Sequence, residues 1–331
     1  MDKYTKVQKA IKGEAVDSVP FSFWSHYPKI DRAPEEIAQK TYDNFKRYDL
    51  DFIKTLNNGM YSVEDYGSEI DFSEVFKGGV AKIEKSPVID SEDWKNIEKI
   101  SIEEKALSRE LEYLERLLDK VDGEAPVIMT IFSPFTTAYK LSEGRILDHI
   151  KTDDQGYVHQ ALENIAQTTA ELSQKAIELG AAGVYFASQM SSYDKTEEDV
   201  FKEYGVPYDL KALDGAQEGW FNAIHIHGNN IMFDLVKDYP VDVINWHIGE
   251  TLPEVDEGIL FSDRTIMGGI ERMDITNQDK NAVRNQIYQT FLKTEGKRMI
   301  LTPGCGVRLP FSEEMIEFII ETKNKIEEKM F

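Results

Sequence analysis

Three residues of this chain have the type and placement to hold one metal ion. His225 and His227 lie in Ala223-Ile224-His225-Ile226-His227-Gly228, and Cys305 lies in Leu301-Thr302-Pro303-Gly304-Cys305-Gly306. Alternate residues of a strand point to the same face, so a strand here presents both imidazoles on one side, with Ile224 and Ile226 packed behind. Cys305, the only cysteine, sits between two glycines at a strand-to-loop junction. Two nitrogen donors and one sulfur, with a fourth position open, describe a catalytic zinc site better than a closed structural one. His247, directly after Asn245-Trp246, is placed to be a fourth ligand or a proton shuttle. His26, in Phe23-Trp24-Ser25-His26-Tyr27, is a further catalytic candidate. Asn229 and Asn245 are suited to orient ligands or substrate by hydrogen bonding from outside the metal's own ligand set. His149 and His159 fall in helical patterns and read as structural.

These residues are useful only if something brings them to one place, and the chain has a rhythm that does so. Short apolar runs alternate with amphipathic helical patterns. The candidate strands are Pro20–Ser25, Asp51–Leu56, Pro126–Ile131, Gly183–Ala187, Ala223–His227, Val241–Trp246, Thr265–Gly268 and Met299–Thr302. Helical patterns run over Glu35–Tyr48, Ile102–Leu118, Tyr157–Leu179, Asn230–Asp238, Thr276–Thr294 and Glu313–Lys329. Strands alternating with helices imply parallel strands joined by right-handed crossovers, and eight such units favour a closed (β/α)8 TIM barrel over an open sheet. Chemistry in that fold sits at the C-terminal ends of the strands, where His225, His227, His247 and Cys305 all fall. Residues 68–93, including Gly78-Gly79, break the rhythm and read as a hairpin-like insertion into one barrel domain spanning residues 1–331. No GxGxxG or GxxxxGK[ST] nucleotide fingerprint is present.

The bulk properties narrow the setting. A chain of 331 residues exceeds the ~250 that an α/β barrel typically needs. Sixty acidic against 38 basic residues give a net charge of -22, which repels nucleic acid and anionic membrane. A lone cysteine, no apolar leader at the start of the sequence and no long apolar run point to a cytoplasmic protein acting on a small molecule.

Several segments resemble the uroporphyrinogen decarboxylase superfamily. They are Ala10-Ile11-Lys12-Gly13-Glu14 with Asp17-Ser18-Val19-Pro20, Tyr48-Asp49-Leu50-Asp51-Phe52, Ser133-Pro134-Phe135-Thr136, Asp242-Val243-Ile244-Asn245-Trp246 and Ile266-Met267-Gly268-Gly269-Ile270. The resemblance covers nearly the whole chain and implies the barrel fold and a homodimer. It leaves two activities. One branch decarboxylates porphyrinogens without a cofactor. The other, typified by methylcobalamin:coenzyme M methyltransferases, holds zinc through His-x-Cys on strand five and a Cys in the turn after strand eight.

At the deciding positions this chain departs from the decarboxylase pattern. That branch carries an arginine-rich segment after the first strand, whereas Phe23-Trp24-Ser25-His26-Tyr27-Pro28 contains no arginine. Its catalytic Asp falls within Thr55-Leu56-Asn57-Asn58-Gly59, at Asn58, and an amide cannot stabilise a cationic pyrrole. The methyltransferase branch fits better: His225 and Cys305 match its ligands, and His227 stands where Cys is usual. The resemblance thus implies zinc, a corrinoid as methyl donor or acceptor, a corrinoid protein as partner, and a thiol or O-methyl substrate. Trp24, Tyr139, Trp246 and Phe186 are then the candidate wall for a flat macrocycle, and Arg272 and Arg308 the candidates for an anionic substrate group. The alternatives are a uroporphyrinogen decarboxylase and a non-catalytic corrinoid- or tetrapyrrole-binding protein.

Overall fold

The computed structural model describes residues 1–77, 80–153 and 155–330. Seven strands form one all-parallel sheet: β1 (Ile53–Lys54), β4 (Val127–Phe132), β5 (Gly183–Ser188), β6 (Ala223–Ile226), β7 (Val243–Trp246), β8 (Thr265–Ile270) and β9 (Met299–Pro303), in that spatial order. A two-stranded antiparallel ribbon, β2 (Glu69–Asp71) and β3 (Lys82–Lys85), stands apart from it. Every residue of β4 to β9 is buried, as expected of parallel strands with side chains covered on both faces.

The sheet curls until its ends meet through residues 20–25. Phe21 bridges Leu301 of β9 in parallel, the Leu301 N–H donates to the Pro20 carbonyl at 2.8 Å, and the Asp51 N–H donates to the Phe21 carbonyl at 2.9 Å. The segment expected as the first strand therefore occupies the eighth place but makes bridges rather than a ladder. Its chemistry explains why: Pro20 has no N–H, and the Phe21 N–H is taken by the Asp51 carboxylate at 2.8 Å.

The helices lie where polar caps and apolar stripes put them. Pro34–Tyr48 begins with proline and two glutamates and ends with Lys46 and Arg47, matching the helix dipole. Tyr157–Leu179 stops at Gly180, whose φ of 115° suits only glycine. Two expectations need correcting. The pattern over Asn230–Asp238 yields only Phe233–Val236. The helix expected over Thr276–Thr294 starts only at Lys280, because the Asp279 side chain accepts from the N–H groups of Asn281 and Ala282, and Thr276 instead ends a separate short helix, Arg272–Thr276. Among the described residues no helix is long and apolar enough to cross a membrane.

Within residues 68–93, β2 and β3 pair antiparallel, Ile70 with Ile83 and Asp71 with Lys82; Gly78 and Gly79, named above, lie outside the described residues. Val75, Val80 and Ala81 from this excursion line a cavity at the C-terminal end of the barrel. The close approach of β5 to the strand after it depends on Gly183, where a Cβ would lie 2.1 Å from the Phe221 carbonyl oxygen. Gly183→Ala should destabilise the fold by about 1–3 kcal/mol, read as a lowered denaturant midpoint at unchanged slope. A midpoint equal to wild type would show that the two segments separate freely.

Candidate metal centre

Four side chains meet at the C-terminal end of the barrel. His225 ends its inward-facing row on β6, His227 follows it past the strand end, His247 follows β7, and Cys305 follows β9. The ligating atoms of all four lie within 4.8 Å of one another. His227 Nδ1 is the common neighbour, 3.2 Å from His225 Nε2, 3.3 Å from His247 Nε2 and 4.0 Å from Cys305 Sγ. Gly304 lets the last turn come this close: a Cβ there would lie 2.8 Å from the Trp246 carbonyl oxygen and 3.0 Å from His247 Cα.

The ring orientations are set from outside the cluster. The register of the sheet places Asn245 beside His225. The Asn245 amide group donates to the Met267 carbonyl at 2.7 Å, which turns its oxygen toward the Tyr185 hydroxyl, 2.6 Å away, and His225 Nδ1, 2.5 Å away. An amide oxygen only accepts, so His225 carries its proton on Nδ1 and presents the Nε2 lone pair to the cluster. His247 Nδ1 lies 3.5 Å from both the Glu250 carboxylate and the Arg272 guanidinium, and its Nε2 faces inward. Arg272 in turn donates to both Glu250 oxygens, at 3.1 and 3.4 Å.

This environment shifts the ionisation of each group. Burial pushes His225 down to about 4, outweighing the pull of Cys305. Burial also opposes the Cys305 thiolate, yet the three imidazoles of His225, His227 and His247 around it outweigh burial and hold the thiol well below its usual range. For His247 burial lowers the value, but Cys305 and Glu250 outweigh it and raise the imidazole above its ordinary value. Neutral imidazole and thiolate are the states in which these side chains bind metals.

A cavity of about 450 Å3 opens from the cluster toward the insertion hairpin. His225, His227 and Cys305 form part of its wall and His247 does not, so His247 stands behind the other three as seen from the cavity. Trp24, His26, Lys54, Asp31, Tyr185 and Lys140 contribute further to the lining.

A family model described as "Uroporphyrinogen decarboxylase (URO-D)" matches residues 3–326. The chain belongs to the uroporphyrinogen decarboxylase family. Among curated relatives, a uroporphyrinogen decarboxylase of Prochlorococcus marinus (strain MIT 9515) is 25% identical over 264 residues, covering 73% of this chain and 72% of that protein. The methylcobamide:CoM methyltransferase MtbA of Methanosarcina mazei is 23% identical over 231 residues, covering 67% of this chain and 65% of that one. Among solved structures, a methyltransferase from Methanosarcina mazei superposes with a TM-score of 0.86 at 17% identity, over 98% of this chain and 99% of that one. A putative vitamin-B12 independent methionine synthase from Listeria monocytogenes gives 0.61 at 14% identity, over 94% and 99%. These likenesses at low identity establish the barrel fold.

In this family member the structure sorts the residues singled out from sequence. His225, His227, His247 and Cys305 come together, and Asn245 supports them. His26 lies in the cavity wall, close to Gly306 and hence to Cys305, and Trp24 lines the same cavity. The rest do not reach it. Trp246 points outward to Phe233 and donates to the Pro253 carbonyl at 3.1 Å, and Phe186 likewise faces away from the barrel interior that its neighbours Tyr185 and Ala187 line. Tyr139 sits against the turn at Gly144. Asn229 is exposed, and its carbonyl accepts from the Ser192 hydroxyl at 2.6 Å. Arg308 is exposed, and Arg272 is committed to Glu250 behind His247. Sequence reasoning missed Lys54, Tyr185, Glu250, Asp31 and Lys140. Lys54 had a visible signal, a charge inside the apolar run Asp51–Leu56; the others had none.

Proposed function

We propose that this chain is a cytoplasmic, zinc-dependent methyltransferase that moves a methyl group between a corrinoid and a thiol or O-methyl substrate bound in the cavity. The observation that carries this reading is the convergence of three imidazoles and the only thiol of the chain at the inner end of that cavity. The donor set suits zinc. Nitrogen–nitrogen separations of 3.2 and 3.3 Å match the edge, roughly 3.3 Å, of a tetrahedron with metal–nitrogen bonds near 2.0–2.1 Å. With its outer nitrogen protonated toward Asn245, His225 offers the lone pair of its inner nitrogen to the point that His247 Nε2 also faces. A cation is what that point lacks, and His225, His227, His247 and Cys305 would hold it. Bound zinc would bring a substrate thiol to its thiolate at neutral pH or polarise a methoxyl oxygen.

The chain's own residues do the remaining work. A substrate entering from the cavity meets the face made by His225, His227 and Cys305, with His247 behind. Asn245 and Glu250 keep the two buried rings in the orientation that binds. Trp24 and Tyr185 wall the approach with apolar surface. In the transfer itself the sulfur–carbon bond forms as the cobalt–carbon bond of the corrinoid substrate breaks, and the electron pair leaves with cobalt. The Methanosarcina mazei relative supports this reading.

The Prochlorococcus relatives favour a second reading, porphyrinogen decarboxylation, and Asp31 gives it a residue, since this carboxyl lies in the cavity and accepts from Asn58 at 3.0 Å. Against it, no arginine among the described residues lines the cavity to bind a substrate rich in carboxylates. One experiment separates the two. Purified protein given methylcobalamin and a panel of small thiols should consume the methylated corrinoid, followed by its absorbance, and release a thioether, with turnover that depends on zinc. Uroporphyrinogen offered to the same preparation should release no carbon dioxide. Full turnover after zinc is stripped, or decarboxylation of uroporphyrinogen, would remove the reading.

A further inference from the structure

Asp209 is a carboxyl with almost nothing to answer its charge. It lies in the helix Val206–Asp214, which packs on the helices Tyr157–Leu179 and Pro134–Leu141, and it is completely buried. One of its oxygens, Oδ2, accepts from the Tyr239 hydroxyl at 3.1 Å. The other, Oδ1, is buried and has no hydrogen-bond partner among the described residues. Tyr239 is 2% exposed and sits in the connection that enters β7, the strand that carries Asn245 and leads to His247.

The charged and titratable groups around the pair are turned elsewhere. On the same helix, Tyr208 bonds to His159 and Lys211 pairs with Glu163, both on Tyr157–Leu179, and Asp214 is exposed. Glu203, on the preceding helix Glu198–Tyr204, lies 3.5 Å from His159, and Tyr204 stacks on that ring. Lys140, on Pro134–Leu141, reaches the Gly59 carbonyl. Near Tyr239, Lys237 pairs with Asp234, Asp238 is exposed, and Asp242 accepts from the Asn222 N–H. Among the described residues no cation pairs with Asp209. An ionised carboxylate here would rest a full charge on a single neutral donor. The neutral acid leaves only one polar group short of a partner, which costs much less. Burial accordingly raises this carboxyl well above its ordinary value, opposed by the Tyr239 hydrogen bond, and raises Tyr239 as well.

We propose that Asp209 and Tyr239 form a pH-operated latch, in which the protonated carboxyl holds the helix Val206–Asp214 against the connection entering β7 and rising pH loosens it. The direction follows from which state keeps the proton. The closed chain holds it to a higher pH than the opened chain does, so the stability it contributes is complete below the ordinary carboxylate range. Above that range the closing constant falls by about tenfold per pH unit, until the buried carboxyl itself ionises. Of the two elements the helix is the one free to lift. Its outer face is exposed at Pro207, Leu210 and Asp214, whereas Tyr239 is tied to a strand of the barrel. The latch stands apart from the metal centre, and no part of it depends on the methyl-transfer reading.

Hydrogen–deuterium exchange of the purified full chain tests this, read on peptides covering residues 206–214 and 237–242 between pH 5 and pH 8, in wild type and Asp209→Asn. The amide is nearly the same size, keeps an acceptor for the Tyr239 hydroxyl and does not titrate. Intrinsic exchange quickens equally with pH in both proteins and cancels in their ratio. Relative to the variant, wild type should therefore exchange progressively faster as pH rises, by up to about tenfold per pH unit. Tyr239→Phe removes the one donor and leaves the carboxyl. It should exchange faster than wild type at every pH and still accelerate relative to Asp209→Asn, which marks Asp209 as the titrating group. A ratio of wild type to Asp209→Asn that is the same at pH 5 and pH 8 would overturn the latch. So would a Tyr239→Phe protein that exchanges as wild type does, since the hydroxyl would then hold nothing.

Discussion

His225→Ala and Cys305→Ala are each expected to reduce bound zinc from about one ion per chain to background while the barrel persists. Loss of an outer hydrogen-bond partner typically costs 10–100-fold in metal affinity, and loss of a ligand atom itself should cost more. The two substitutions strip different elements of the site, a nitrogen on β6 and the sulfur after β9, so agreement between them would tie both to one ion. Far-ultraviolet circular dichroism should stay close to wild type, because the ring of β-strands is held by its own ladder and by apolar packing on both faces. His159→Ala is the control, since that imidazole lies near the surface and bonds to the Tyr208 hydroxyl at 2.7 Å. Zinc retained at wild-type stoichiometry in both His225→Ala and Cys305→Ala would end the metal reading, with or without activity.

The architecture was legible because parallel strands covered on both sides must be written in continuous apolar runs, and such runs recur eight times in this chain. The meeting of three histidines with the cysteine was legible for a related reason: imidazoles and a thiol are conspicuous at strand ends, where the glycine-flanked turns also lie. What could not be read was the direction of individual side chains. When both faces of a strand are apolar, nothing in its composition says which residue looks inward. Asn245 and Trp246 are chain neighbours on β7 and so must face opposite ways, yet both were nominated for the site; the pairing of Asn245 with His225 settles that Trp246 packs outside. The same parity turns Phe186 out and Tyr185 in. Partnership was equally hidden. Arg272 looked available for an anion until Glu250, distant from it in sequence, occupied its guanidinium. A strand lysine ordinarily snorkels to solvent, and only the closed barrel shows that Lys54 has nowhere to go.

Asn245→Leu should carry the largest stability cost of any substitution near the site. The side chain is fully buried and makes three hydrogen bonds at once, accepting from Tyr185 and His225 and donating to Met267. Leucine has a similar volume, so packing changes little, but it strands a hydroxyl, a ring N–H and a carbonyl away from water. At about 1–3 kcal/mol for each buried group left unpaired, the loss should be on the order of 3 kcal/mol or more, readable as a lowered denaturant midpoint. Zinc affinity should fall by about 10–100-fold as well, because His225 loses the acceptor that fixes its ring and its tautomer. Asn245→Asp separates the two effects. Its carboxylate still accepts from Tyr185 and His225, so zinc should be held better than in the leucine variant, whereas the Met267 carbonyl loses its donor and faces a like partial charge, so stability should still suffer. Both quantities must move for the account to hold: a leucine variant that unfolds early yet binds zinc as tightly as wild type would show that the amide supports the barrel and leaves the orientation of His225 to the ring's other contacts.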